Sequence, residues 1–236
     1  MKNYIALFFY VFFLTTHFSF SQSRKVNELK KEYIESALHN ISGEILPVLK
    51  WENKETLKYY ISGKFEFISK KEWTKFLKKI EFVTGFRIIP TEKFSDADIH
   101  LYFGELTDYF KTFNIRAPQQ LVSKFDNWSS RKYNRNRQLT LATYCIVPSK
   151  TKTRNRGSYN LKKLFLKSLG MLGESKDKYS LFYKYQTDGN RRLSKTDKRI
   201  LKIHYDDILK SGMKLTEVKD LLNSKINLNK IIKEKL

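Results

Sequence analysis

"NLKKLFLKSLGMLGESKDKYSLFY", residues 160–183, is the stretch on which the reading of the fold turns. Leu161, Leu164, Phe165, Leu169 and Leu172 recur at helical spacing and share one broad face. Residues 159–172 are therefore expected to form an amphipathic helix packed on a sheet. Lys162, Lys163 and Lys167 lie away from that face, and charge runs of this kind usually meet solvent. Gly170, near the end, permits a sharp exit.

Upstream, the pattern alternates helix and strand. "VNELKKEYIESALHNI" (26–41) reads as an amphipathic helix and "TLKYYISGKF" (56–65) as a strand, with Trp51 just before it. "SKKEWTKFLKKIEFVTGF" (69–86) opens on a Ser-x-x-Glu capping box, Ser69 and Glu72. It keeps Trp73, Phe76, Leu77, Ile80 and Val83 at helical spacing, and Gly85 is placed to end it. "FRIIP" (86–90), "ADIHLYFG" (97–104) and "LTLATYCIVPS" (139–149) read as strands, with a short helix around 105–113.

Two polar, basic stretches, "DNWSSRKYNRNRQ" (126–138) and "KTKTRNRG" (150–157), read as loops. They hold Arg131, Arg135, Arg137, Arg154 and Arg156 at opposite ends of a strand about 35 Å long, so two separate basic patches are expected. Trp128 and Tyr133 in the first loop suit either loop anchoring, the preferred reading, or contact with carbohydrate or a polyanion.

Downstream, "LSKTDKRILKIHYDDILKSG" (193–212) starts with a Ser-x-x-Asp box, Ser194 and Asp197, and stops at Gly212. "KLTEVKDLL" (214–222) and a lysine-rich tail follow. Strands early and helices late indicate an α+β fold, with a mixed sheet in the N-terminal half and a helical C-terminal third.

The 236-residue chain begins with Lys2, an apolar run at 4–14 and small residues at 19 and 21, the pattern of a secretory leader over 1–21. The run is too short to span a membrane, which takes about 20 residues. The mature chain, 22–236, is expected as a single exported domain with a helical tail and no transmembrane anchor, in the periplasm, at the cell surface or secreted. Its one cysteine, Cys145, lies in an apolar strand and reads as a buried structural thiol. With 35 lysines and 11 arginines the net charge is +22, a field that favours anionic partners. For an exported chain these are anionic polysaccharide, a lipid headgroup or an acidic protein rather than nucleic acid.

The order of motifs in the last third resembles one family. Leu169-Gly170-Met171, Ser180-Leu181-Phe182, Leu193-Ser194 with Asp197-Lys198, Tyr205-Asp206 and Gly212-Met213 follow one another as in the DUF2927 family. The match covers about 60 residues by count, and the upstream half agrees in layout: Trp51, a strand, a helix ending near Thr-Gly-Phe, then "DADIHLYFG". The family comprises exported bacterial proteins of unknown function, held to be relatives of zincin-type metallopeptidases. The resemblance thus implies a zincin-like fold, and the helix at 159–172 would be its active-site helix.

A zincin helix needs two histidines four residues apart and a glutamate after the first to activate water. Aligning Gly170 with the glycine of that pattern puts the first ligand position on Lys163, the general base on Leu164 and the second ligand on Lys167. The third falls on Gly173 or, shifted by one, Glu174. The family pattern has an acid near the second position and a glutamine near the third, and this sequence departs from both. Protonated lysines offer no electron pair to a cation, and leucine cannot act as a base.

The expectation is a degenerate site with no catalytic residue, no metal and no cofactor: a noncatalytic binder of an anionic envelope or extracellular partner. Lys163, Lys167, Arg154 and Arg156 are its candidate anion contacts; Leu164, Gly170 and Glu174 mark the former site and its turn. The alternative is a divergent metal-dependent hydrolase drawing ligands such as His100 and Glu174 from elsewhere. His39, His100 and His204 show no metal-ligand spacing, and His204 falls on the inward side of its helix. No phosphate-binding glycine loop or nucleophile elbow is present, and Ser180 is expected to close a turn.

Overall fold

The structure is a computed structural model that describes residues 23–117, 119–183, 185 and 192–234. The expected leader lies outside the described residues. The first element, α1, covers residues 23–37, with Leu29, Tyr33, Ser36 and Ala37 buried along one face. It leads into β1 (Thr56–Ser62), α2 (Lys70–Thr84), β2 (Arg87–Pro90), β3 (Ile99–Phe103) and α3 (Leu106–Thr112). A short turn of helix, α4 (Gln119–Val122), precedes β4 (Asn127–Tyr133) and β5 (Leu139–Ile146). The rest is helical: α5 (Arg154–Ser168), α6 (Lys195–His204), α7 (Leu215–Ser224) and α8 (Leu228–Lys233).

The five strands form one mixed sheet in the order β2-β1-β3-β5-β4. Only β4 runs antiparallel to its neighbour; every other pair is parallel. Parallel strands are normally covered on both faces, and the alternation along β3 and β5 shows how. Ile99, Leu101, Phe103, Tyr144 and Ile146 join the main core with α2, α5 and α6. Cys145, Val147 and the partly buried Tyr102 point to the other face, where α3 supplies Leu106, Tyr109, Phe110 and Phe113. Cys145 is a free, buried thiol.

Local signals set α2. Ser69 caps it, its hydroxyl accepting from the Glu72 amide at 3.2 Å, and Gly85 ends it at φ +80°, a left-handed position. Only half of the expected box forms, because the Glu72 carboxylate turns to Lys162 instead. At α6 the reciprocal box of Ser194 and Asp197 is complete. Asp197 also accepts from the Leu181 amide at 3.0 Å and the Ser180 hydroxyl, so Ser180 does close the turn before α6.

Several expectations need correction. The sheet is not confined to the N-terminal half, since β5 ends at Ile146. Residues 126–138 are not a loop: 127–133 form the edge strand β4, which a tight turn joins to β5. The supposed loop at 150–157 contains the first turn of α5, which Thr153 caps through the Arg156 amide at 3.1 Å. The helix over 193–212 ends at His204, and Gly212 closes the following turn at φ +83°.

Candidate anion-binding site around α5

Helix α5 runs through the middle of the molecule, and every residue from Gly157 to Ser168 is buried. The expectation that Lys162, Lys163 and Lys167 meet solvent is wrong, because α2, β4 and the segment after α5 close over that side. Burying an ammonium is costly unless it is paired, and each of the three is handled differently.

Lys162 reaches Glu72 Oε1 on α2 at 2.8 Å. Lys163 donates to the Tyr183 carbonyl at 3.2 Å, lies 3.5 Å from Glu174 Oε1, and sits over the Tyr159 ring at 5.7 Å. Its pKa is lowered by burial, with Glu174 acting the other way. Lys167 is 6% exposed, and its ammonium has no hydrogen-bond partner among the described residues. Burial, then the charges of Lys163 and Arg131, push its pKa down to about 7, while Glu174 pulls it up.

The arginine that enters this group comes from β4. In register with Ala142 of β5, Arg131 lies on the face of the sheet that carries α5. Its Nη1 donates to the carbonyls of Lys167 and Met171, each at 3.3 Å. A helix leaves its last carbonyls without partners, and that end carries partial negative charge. Here the others are met as well: Trp51 Nε1 donates to the Ser168 carbonyl at 2.9 Å and the Tyr205 hydroxyl to that of Leu169 at 2.8 Å.

The turn after α5 places Gly173 and Glu174 differently. Gly170, at φ +96°, passes so close to Leu49 that a Cβ would stand 1.7 Å from its carbonyl oxygen. The Gly173 amide donates to the Ser36 carbonyl at 2.9 Å, pinning that residue to the end of α1. Glu174, not Gly173, is therefore the side chain directed at Lys163. Lys163, Lys167 and Glu174 lie close enough to act on one another electrostatically, while Leu164 belongs to the apolar core.

Arg154 and Arg156 do not join them. Arg154 is exposed at the first turn of α5, and Arg156 holds Asp126 at 2.8 Å. Lys163 lies nine residues beyond Arg154, about 13 Å along the axis. Arg131, expected in a surface patch on a loop, is instead carried by the edge strand. The signal available was the pairing of that polar stretch, through a five-residue connection, with the apolar run at 139–146, which makes a hairpin and fixes which side chains face the helix.

These residues do not fit zinc. Positions 163 and 167 carry cations, Arg131 adds a third, and a lone carboxylate, Glu174, remains. Among the described residues no three His, Cys, Asp or Glu side chains come together. His100 stacks against Phe94 and Phe113 on the α3 face of the sheet, so it cannot share an ion with Glu174 on the α5 side. His204 is fully buried, its Nδ1 3.3 Å from the Tyr33 hydroxyl and its Nε2 3.1 Å from the Leu49 carbonyl. Trp128 packs edge-on against Phe110 and Phe125, an anchoring role.

No curated protein matches the chain. A family model described as a protein of unknown function, DUF2927, matches residues 27–224, which takes in the sheet, α5 and the helices through α7. By that match, the chain belongs to the DUF2927 family.

Proposed function

We propose that this is an exported, noncatalytic protein of zincin-like fold, whose metal site has become a receptor for an anionic group. The observation that carries the proposal is Lys167: a side chain 6% exposed whose ammonium has no hydrogen-bond partner among the described residues and is grouped with Lys163 and Arg131 against one carboxylate. A buried cation that lacks a partner is costly; a carboxylate or phosphate arriving there would supply both charge and hydrogen-bond acceptors. Convergence of positions 163, 167 and 174 around one helix and its turn supports the zincin-like reading. The N-terminal leader pattern supports export, to the periplasm, the cell surface or the medium. The partner would be an acidic polysaccharide, a phosphorylated envelope component or an acidic protein.

The test is calorimetric titration of the purified protein with inorganic phosphate and with acetate, alongside a measurement of bound zinc. Saturable anion binding that weakens above about pH 7 and disappears in Lys167→Met supports the proposal. Stoichiometric zinc that is lost in Glu174→Gln would replace it with the alternative, a metal-dependent hydrolase. Absence of both anion binding and zinc would remove the site.

A further inference from the structure

A second basic feature lies on the outer face of α2, away from the enclosed lysines. Lys71, Lys75, Lys78 and Phe82 are spaced i, i+4, i+7 and i+11, which places them in one stripe along the helix. The opposite side of α2 buries Trp73, Phe76, Leu77 and Ile80. Lys79 stands beside the stripe, and Lys198 of α6 approaches from the neighbouring helix, together edging a shallow groove of about 610 Å³. Phe82, in that groove, is 73% exposed.

Nothing on α2 neutralises these cations. Of its two carboxylates, Glu72 is committed to Lys162, and Glu81 accepts from the Ile88 amide at 2.6 Å. Lys71, Lys75, Lys78 and Lys79 form no ion pair among the described residues. Lys79 carries a lowered pKa, from burial first and then from Lys198, Lys75, Arg192 and Lys162 crowding it. Like charges stacked along one helix face repel, and a bound external anion relieves that repulsion.

We propose that this face docks on the surface of an anionic lipid bilayer. The lysines meet the headgroup phosphates, with their aliphatic stems lying along the interface, and Phe82 enters the boundary between headgroups and acyl chains. The phenylalanine decides between occupants: a bilayer gives it an apolar destination, whereas a soluble polyanion engages the lysines and leaves it in water. Among the described residues no helix is long and apolar enough to cross a membrane.

The experiment is co-sedimentation of the protein with vesicles of phosphatidylcholine alone and of phosphatidylcholine mixed with phosphatidylglycerol. The protein is expected to bind the mixed vesicles at least about tenfold more tightly, with the preference fading at high salt. Lys71→Glu/Lys78→Glu should weaken that binding by about tenfold or more. Phe82→Ser should weaken it by several-fold while leaving dextran sulfate binding unchanged. All three substituted side chains are exposed, and a thermal melt confirms folding. Phe82→Trp gives an independent readout, a blue-shifted emission with the mixed vesicles alone. Equal binding to both vesicle types overturns the proposal. So does a Phe82→Ser protein that binds vesicles as the parent does, which would make the face a polyanion surface.

Discussion

Gly170 and Leu49 meet so closely that a methyl group on the glycine would lie 1.7 Å from the leucine carbonyl oxygen, with His204 Nε2 3.0 Å away. The approach joins the end of α5 to the segment before β1 and to α6. Gly170→Ala combines that collision with a φ of +96°. It is expected to cost about 3 kcal/mol or more, read as a lowered urea midpoint with an unchanged slope.

His204, at the same junction, sets the acid limit. Burial pushes its pKa down to about 3, and that of His100 down to about 4. Between those values and the ordinary histidine value near 6.5, the unfolded chain binds protons that the folded chain refuses. Stability is therefore expected to fall as pH drops below about 6.5, and His204→Gln should flatten part of that slope in urea melts at stepped pH.

Lys167 predicts an opposite boundary. With its pKa lowered to about 7, the unfolded chain holds a proton that the folded chain has released between there and the ordinary lysine value. Stability should rise with pH over that window, and Lys50, lowered to about 8 by burial, adds to the rise from its own value upward. Lys167→Met should be more stable than the parent near pH 6 and show a shallower alkaline rise. A parent whose stability is flat from about pH 7 to about pH 9 would contradict this.

The pair Lys162–Glu72 should respond unequally to removal of its two ends. Glu72→Gln leaves an ammonium buried against a neutral amide and is expected to cost about 1–2 kcal/mol. Lys162→Met leaves a half-exposed carboxylate that water can reach and should cost less. Thermal melts of the two single variants and the double variant give the coupling.

What could be read in advance depended on how local its cause is. The helix α2 was legible at both ends because Ser69 and Gly85 carry the instructions for starting and stopping within a few residues. The pairing of Lys163 with Glu174 was only half legible, because the sequence left the position after the turn open between Gly173 and Glu174. The edge strand β4 was not, since "NWSSRKY" has the polarity of a loop and becomes a strand only by pairing with β5. With it went Arg131, whose facing is set by register. Burial of Lys162, Lys163 and Lys167 was invisible for a similar reason: an amphipathic pattern shows which face is apolar, but not that neighbours will cover the other.

Arg131 also limits any attempt to build a metal centre on this scaffold. Histidines written at 163 and 167 would supply nitrogen donors, yet a guanidinium bound to two main-chain oxygens at the end of α5 would still oppose an incoming dication. Installing such a centre calls for an edit on the sheet as well as on the helix, and those two oxygens would then need a new, uncharged donor.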